Sequence, residues 1–252
     1  MQLYFREIGQ GPPLVVLHGL FGSCDNWLTV SKTLAEHFKV FLVDQRNHGR
    51  SPHHTAHSYE AMTEDLLDFF TAQKIENPIV LGHSMGGKTA MYLALHYPNA
   101  LEKLVVVDIA PSYYAPHHQA VISALEAVKL NTLASREEAD HIMSDYLPDL
   151  GTRQFLLKNL YRNELGSFAW RMNLKGIVKQ IENIGEESNG IPFQKPTLFL
   201  RGQNSTYIQE KDHKRIFELF PNAQLRTVAG AGHWVQAEKP REFVEEVFRF
   251  LL

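Results

Sequence analysis

Apolar and polar positions fall into two alternating textures along the first 110 residues. Short runs that are apolar at nearly every position occur at 13–19 (PLVVLHG), 40–44 (VFLVD), 78–82 (PIVLG) and 101–110 (LEKLVVVDIA). A strand without a polar face must be covered on both sides, which is the pattern of a parallel sheet. Between the runs, apolar residues recur at helical spacing. WLTVSKTLAEHF precedes the second run, and SYEAMTEDLLDFFTAQ at 58–73 carries Met62, Leu66, Leu67 and Phe70 on one stripe, with Ser58 and Glu60 suited to its first turn. MGGKTAMYLALHYP at 85–98 closes on Pro98, where a helix should stop. Strand, helix and strand at these intervals predict right-handed βαβ units and a mostly parallel, doubly wound sheet.

The texture changes near Pro111. From Ser112 to about Ile191 no strongly apolar β-branched run occurs, and the sequence is amphipathic: HHQAVISALEAVKL, SREEADHIMSDYL and TRQFLLKNLYR. These predict a helical insertion. After Pro192 the strand–helix rhythm returns with PTLFLRG, KDHKRIFELFP, QLRTVAG and PREFVEEVFRFLL. The expected division is therefore residues 1–111 and 192–252 as two parts of one α/β core, with 112–191 as a helical cap.

Composition narrows the function classes. The 252 residues are 44% hydrophobic and 21% charged, ordinary globular values, and the net charge of −3 with no Lys/Arg cluster argues against a nucleic-acid partner. No apolar run approaches the length of a membrane span. The single Cys24 excludes an internal disulfide and a cysteine-based zinc site, and MQLYFREIGQG lacks the pattern of a secretory signal, so a cytoplasmic location is expected.

Gly82-x-Ser84-x-Gly86 lies between an apolar run and a helical stretch, the setting in which that motif has mechanical meaning. A serine on a tight strand-to-helix turn presents its hydroxyl, and the helix N-terminus adds unpaired N–H groups where an oxyanion would form. A serine needs a base to take its proton. Among thirteen histidines, His233 in GAGHWVQAEKP sits best, in a Gly-rich loop between a strand and the last helix. HGLFGS at 18–23 follows the first apolar run and can supply an oxyanion donor from the amide of Leu20 or Phe21, beside that of Met85. His18 and His48 are expected to brace loops, and the turn should aim His83 away from the nucleophile. The pairs His53/His54 and His117/His118 are expected in solvated loops, with no metal site. Asp44, Arg46, Gly49 and Ser51 are expected in a hydrogen-bonded turn. Lys88 is unusual one turn into a helix whose dipole disfavours a cation there. Its expected partner is solvent, a carboxylate of the insertion or an acidic substrate group.

The strings HGLFGS, DQRNHGRS, GHSMGGKTAM, VVVDIAP, RGQNS and AGAGHWVQAEKP, in this order, resemble the α/β-hydrolase superfamily over essentially the whole chain. Within it they are most similar to the bacterial YbfF-type and mammalian abhydrolase-domain esterases. The resemblance implies an α/β-hydrolase fold with a helical cap, no cofactor or metal, and hydrolysis of small-molecule carboxylic esters or acyl-CoA thioesters. It also bears on a gap. Most of the superfamily carries the acid of a Ser–His–acid triad after the strand equivalent to TLFLRG, whereas this turn offers Gln203, Asn204 and Ser205. Asp108 closes the apolar run LVVVD, where an ionisable group needs a partner, and the narrower group carries its acid there. The expected triad is Ser84, Asp108 and His233. Phe155, Leu160, Tyr161 and Trp170 of the insertion, with Trp234, are the candidates for the substrate pocket. Ser84 excludes a dehalogenase with an aspartate nucleophile, while a cofactor-free haloperoxidase, a C–C hydrolase or a ligand-binding receptor on this fold would carry the same residues.

Overall fold

Successive residues of a strand face opposite sides of its sheet, so the continuously apolar runs demand two covering layers. In the computed structural model, which describes residues 1–252, both layers are present. Val15 and Leu17 join one buried cluster, while Leu14 and Val16 join another on the opposite face. The strands are β1 (Phe5–Ile8), β2 (Pro13–Leu17), β3 (Lys39–Val43), β4 (Ile79–His83), β5 (Lys103–Val107), β6 (Leu160–Arg162), β7 (Phe168–Trp170), β8 (Thr197–Gly202) and β9 (Ala223–Val228). Seven of them form one sheet in the order β1-β3-β2-β4-β5-β8-β9. All its pairings are parallel except β1 with β3.

Helices α1 (Leu28–Leu34), α2 (Tyr59–Gln73) and α3 (Met85–His96) alternate with the first strands. Ser58 caps α2, its hydroxyl accepting from the Ala61 amide at 3.3 Å, and α3 ends just before Pro98. Apolar residues of α2 and α3 cover one face of the sheet, and those of α1 cover the other together with α11 (Pro240–Leu251). β1 was not legible in the apolar pattern. It is a four-residue edge strand with no buried position, so it carries no apolar run.

Between β5 and β8 lie α4 (Gln119–Ala127), α5 (Arg136–Ser144), α6 (Leu150–Leu157), α7 (Leu174–Lys179) and α8 (Ile181–Ile184). Helices α4 to α7 share a cluster of 14 buried residues that includes Phe21 from the core, and Ile181 of α8 packs against it. The segment is not wholly helical, because β6 and β7 form an antiparallel hairpin. LKNLYR continues the helical spacing of α6, so periodicity alone conceals the break at Lys158. The turn is built instead by Asn163, whose Oδ1 accepts the Leu165 and Ser167 amides at 3.1 and 3.0 Å, and by Gly166 at φ +77°. After β8 come α9 (Glu210–Leu219), β9, the short α10 (Val235–Glu238) and α11.

Candidate active site

β4 ends at His83 and α3 begins at Met85, so Ser84 alone makes the turn. It holds φ +53° and ψ −118°, a conformation that L-residues rarely adopt. Two glycines permit this. A Cβ on Gly82 would lie 2.1 Å from the Gly86 carbonyl oxygen, and one on Gly86 would lie 2.5 Å from that of Leu17. The Ser84 amide donates to Val107 O at 3.1 Å, tying the turn to β5. Met85 opens α3, so its amide has no acceptor within the helix.

The loop after β2 faces this turn closely: a Cβ on Gly19 would meet that of Ser84 at 3.2 Å. The Phe21 amide donates to His48 Nε2 at 3.1 Å, and His48 Nδ1 donates to Arg46 O at 3.0 Å. His18 is arranged likewise, accepting the Gln45 amide at Nε2 (3.0 Å) and donating from Nδ1 to Gly19 O (2.8 Å). Both roles require a neutral imidazole, and burial supplies it, pushing His18 down to about 4 and His48 down to about 3. The Phe21 amide is thereby engaged, whereas Leu20 lines both cavities that border Ser84. Asp44 anchors the neighbouring turn by accepting the Cys24 and Arg50 amides at 2.6 and 2.8 Å. Ser51 Oγ donates to Asp44 O at 2.5 Å, while Arg46 pairs with Asp65 at 2.6 Å.

Asp108 follows β5 at φ +51° and is completely buried. Its Oδ1 accepts the Gly202 amide at 3.0 Å; its Oδ2 accepts the Ser205 hydroxyl and, at 2.7 Å, His233 Nδ1. Three donors thus converge on one carboxylate, which compensates its loss of water. The last residue of β8 and the acid-free turn after it contribute two of those donors. The turn also carries the loop of His233, because the Asn204 amide donates to Ala231 O at 2.8 Å and Gln203 Oε1 accepts the Gly230 amide at 2.8 Å. The Tyr207 ring stacks on the imidazole at 4.0 Å and 22°.

Ser84 and His233 both line a cavity of about 370 Å³. Their side chains do not hydrogen-bond each other, whereas the contact from Asp108 to His233 is complete. Phe155 and Trp234 also line the cavity, their rings 5.4 Å apart. Leu160, Tyr161 and Trp170 do not: they belong to the β6–β7 hairpin. Leu160 is buried in the cluster of the inserted segment, against which Trp170 also packs, and Tyr161 lies under the Arg171 guanidinium at 4.3 Å. A second cavity, of about 20 Å³, adjoins Ser84 on the side of Met85 and Lys88.

The family model described as the alpha/beta hydrolase fold matches residues 12–240. The chain belongs to the α/β-hydrolase family. It is 44% identical to the sn-1-specific diacylglycerol lipase ABHD11 of Mus musculus, over 95% of this chain and 81% of that protein. It is 38% identical to the esterase YbfF of Escherichia coli K12, over 95% and 92% of the two chains. A solved structure titled marine microorganism esterase superposes with a TM-score of 0.97 at 44% identity, covering 99% of each chain.

Several further side chains of this hydrolase have defined surroundings. The His83 ring lies 4.6 Å from that of His233, and its Nε2 donates to the His233 carbonyl at 2.9 Å, bracing the histidine loop. Lys88 is neither solvated nor paired with a carboxylate. Its amine is buried and donates to the carbonyls of Pro111, Ser112 and Glu186 at 3.0, 2.7 and 2.7 Å, joining α3 to both ends of the inserted segment. Burial pushes it down to about 7, against the opposing pull of Glu187, Asp212 and Glu186. His117 and His118 lie in a loop as expected, His117 exposed and His118 half-buried, and both border the two cavities. His117 Nε2 bonds the Tyr207 hydroxyl at 2.6 Å, and burial lowers His118 to about 4. Their only sequence signal was position, just after the strand end that carries Asp108. Cys24 is buried, and its surroundings hold the thiol protonated. No helix is long and apolar enough to cross a membrane.

Proposed function

We propose that this ester hydrolase works through an acyl-enzyme on Ser84, with His233 as general base and then general acid, Asp108 as the orienting carboxylate, and the Leu20 and Met85 amides as the oxyanion hole. The observation that carries the proposal is the 2.7 Å contact from His233 Nδ1 to a buried Asp108, with Tyr207 stacked on the ring. With Nδ1–H directed to the carboxylate, Nε2 is the unprotonated nitrogen and can accept the serine proton. The strained turn holds Ser84 Oγ at the mouth of α3, where an oxyanion meets the Met85 amide and the positive end of the helix. Collapse of the first tetrahedral intermediate expels an alcohol that takes its proton from His233. Water then attacks the acyl-enzyme with His233 again as base, releasing the acid.

Ester hydrolysis is also the activity in the names of the two relatives described above. Thioesters such as acyl-CoA share the acyl carbonyl and need no further residue, so they form the second substrate class. Treatment with a fluorophosphonate probe followed by peptide mapping should place a single adduct on Ser84, and Ser84→Ala should abolish both the adduct and turnover of p-nitrophenyl esters. Stoichiometric labelling without turnover of any ester would favour a ligand-binding role on the same scaffold, and an adduct elsewhere would remove Ser84 from the mechanism.

A further inference from the structure

Ser84 borders two adjoining cavities of very unequal size, which also share Leu20, His117, His118 and Tyr207, and the chemistry decides which half of an ester enters each. This inference rests on the catalytic roles just proposed. In the tetrahedral intermediate, the carbon on Ser84 Oγ carries three further substituents: the oxyanion, the leaving oxygen and the acyl chain. The oxyanion points to the Leu20 and Met85 amides. The leaving oxygen must reach His233 to be protonated, so the alcohol extends on the side of the imidazole. That side is the cavity of about 370 Å³, lined by His233, Trp234 and Phe155. The acyl chain is left with the other cavity, which touches Ser84, Met85 and Leu20 but not His233, and which holds about 20 Å³.

A volume of that size accepts about one water-sized group, and its walls are held. The Tyr59 hydroxyl donates to Ile184 O at 2.6 Å, and Lys88 is fixed by three carbonyls. Ile109, Ile181 and Ile184 close the remaining apolar side. Lengthening the acyl chain therefore means overpacking or displacing α8, whereas lengthening the alcohol meets open apolar space.

We infer that the small cavity is the acyl site and the large one the alcohol site, so that the enzyme selects short acyl groups, of acetyl size, on large alcohols. The residues that set the ceiling are Tyr59, Ile181 and Ile184.

Two isomeric esters of equal composition test this directly: hexyl acetate, with the long chain in the alcohol, and ethyl hexanoate, with the long chain in the acid. Misfit of a single methylene group in an apolar pocket changes kcat/KM by about 10–200-fold. The expected result is a preference of at least about tenfold for hexyl acetate. In Ile184→Ala and in Ile181→Ala the ratio should move toward ethyl hexanoate, and either variant suffices if the other fails to fold. Equal rates, or a preference for ethyl hexanoate in an enzyme that a fluorophosphonate still labels on Ser84, would overturn the cavity assignment while leaving the catalytic roles intact. Hydrolysis of neither ester together with no labelling at Ser84 would overturn both.

Discussion

Replacing Asp108 with asparagine tests the arrangement around His233 at its most sensitive atom. The two oxygens of Asp108 have different obligations. Oδ1 accepts the Gly202 amide, a backbone donor that cannot turn, while Oδ2 faces His233 Nδ1 and the Ser205 hydroxyl. In Asp108→Asn the carbonyl oxygen is therefore drawn to Gly202, and the amide nitrogen must face the imidazole. That nitrogen can only donate, so Nδ1 becomes the acceptor and the ring proton moves to Nε2, where a base is needed. The fold should survive, because the shape is unchanged and Ser205 Oγ can accept from the new amide. The wrong tautomer in a serine triad costs about 10³–10⁴ in kcat. That corresponds to about 4–5.5 kcal/mol of transition-state stabilisation. The assay is steady-state hydrolysis of p-nitrophenyl acetate, with thermal unfolding as a control and Asn204→Asp, which places an acid in the turn after β8, as a comparison. A loss in kcat below about tenfold in a folded Asp108→Asn protein would show that another group orients His233.

Three further outcomes follow from contacts already described. Ser205→Ala removes one donor from the same carboxylate and should lower kcat by about three- to tenfold, a fraction of one charge-assisted hydrogen bond, with KM unchanged; an effect as large as that of Asp108→Asn would give Ser205 a different role. Lys88→Met leaves three carbonyls without their donor and should destabilise the protein by about 2–4 kcal/mol, seen as a lower midpoint in urea; a change under about 0.5 kcal/mol would mean that the amine does not hold the inserted segment. Burial lowers His18 to about 4 and His48 and His57 to about 3. The unfolded chain then binds more protons than the native one below the ordinary histidine range near 6.5. Stability should be fully present above that value and fall toward pH 4, by up to about 1.4 kcal/mol per pH unit for each histidine; urea midpoints that do not change between pH 7.5 and pH 5 would contradict this.

The amino-acid order alone determined the parts that depend on neighbours in sequence. Short, continuously apolar runs rich in β-branched residues fit strands covered on both faces, so β2 to β5 and β8 were legible as sheet. The turn of Ser84 was legible because Gly82 and Gly86, each two residues away, are what its sterics require. Asp108 was visible as an ionisable group closing an apolar strand, but its role as the acid came from the resemblance.

Tertiary structure decided what depends on neighbours in space. Asp108 and His233 are 125 residues apart and meet because β5, β8 and β9 are successive neighbours in the sheet, which brings the end of β8, the turn after it and the loop after β9 to the carboxylate. His48 reaches the Phe21 amide from another loop, a contact that favours Leu20 as the donor proposed above and that no local pattern marks. Helical spacing at 155–162 could not reveal that Leu160 and Tyr161 leave the cavity for a hairpin with Phe168–Trp170, since that break is stabilised by a turn at Asn163 and not by a change of period. Lys88 carried a local signal, its sign at a helix start, yet its partners are carbonyls that every residue possesses and no side-chain pattern can mark. Periodicity and sterics are written into short stretches of chain, whereas pairing between distant groups is set by which faces bury together.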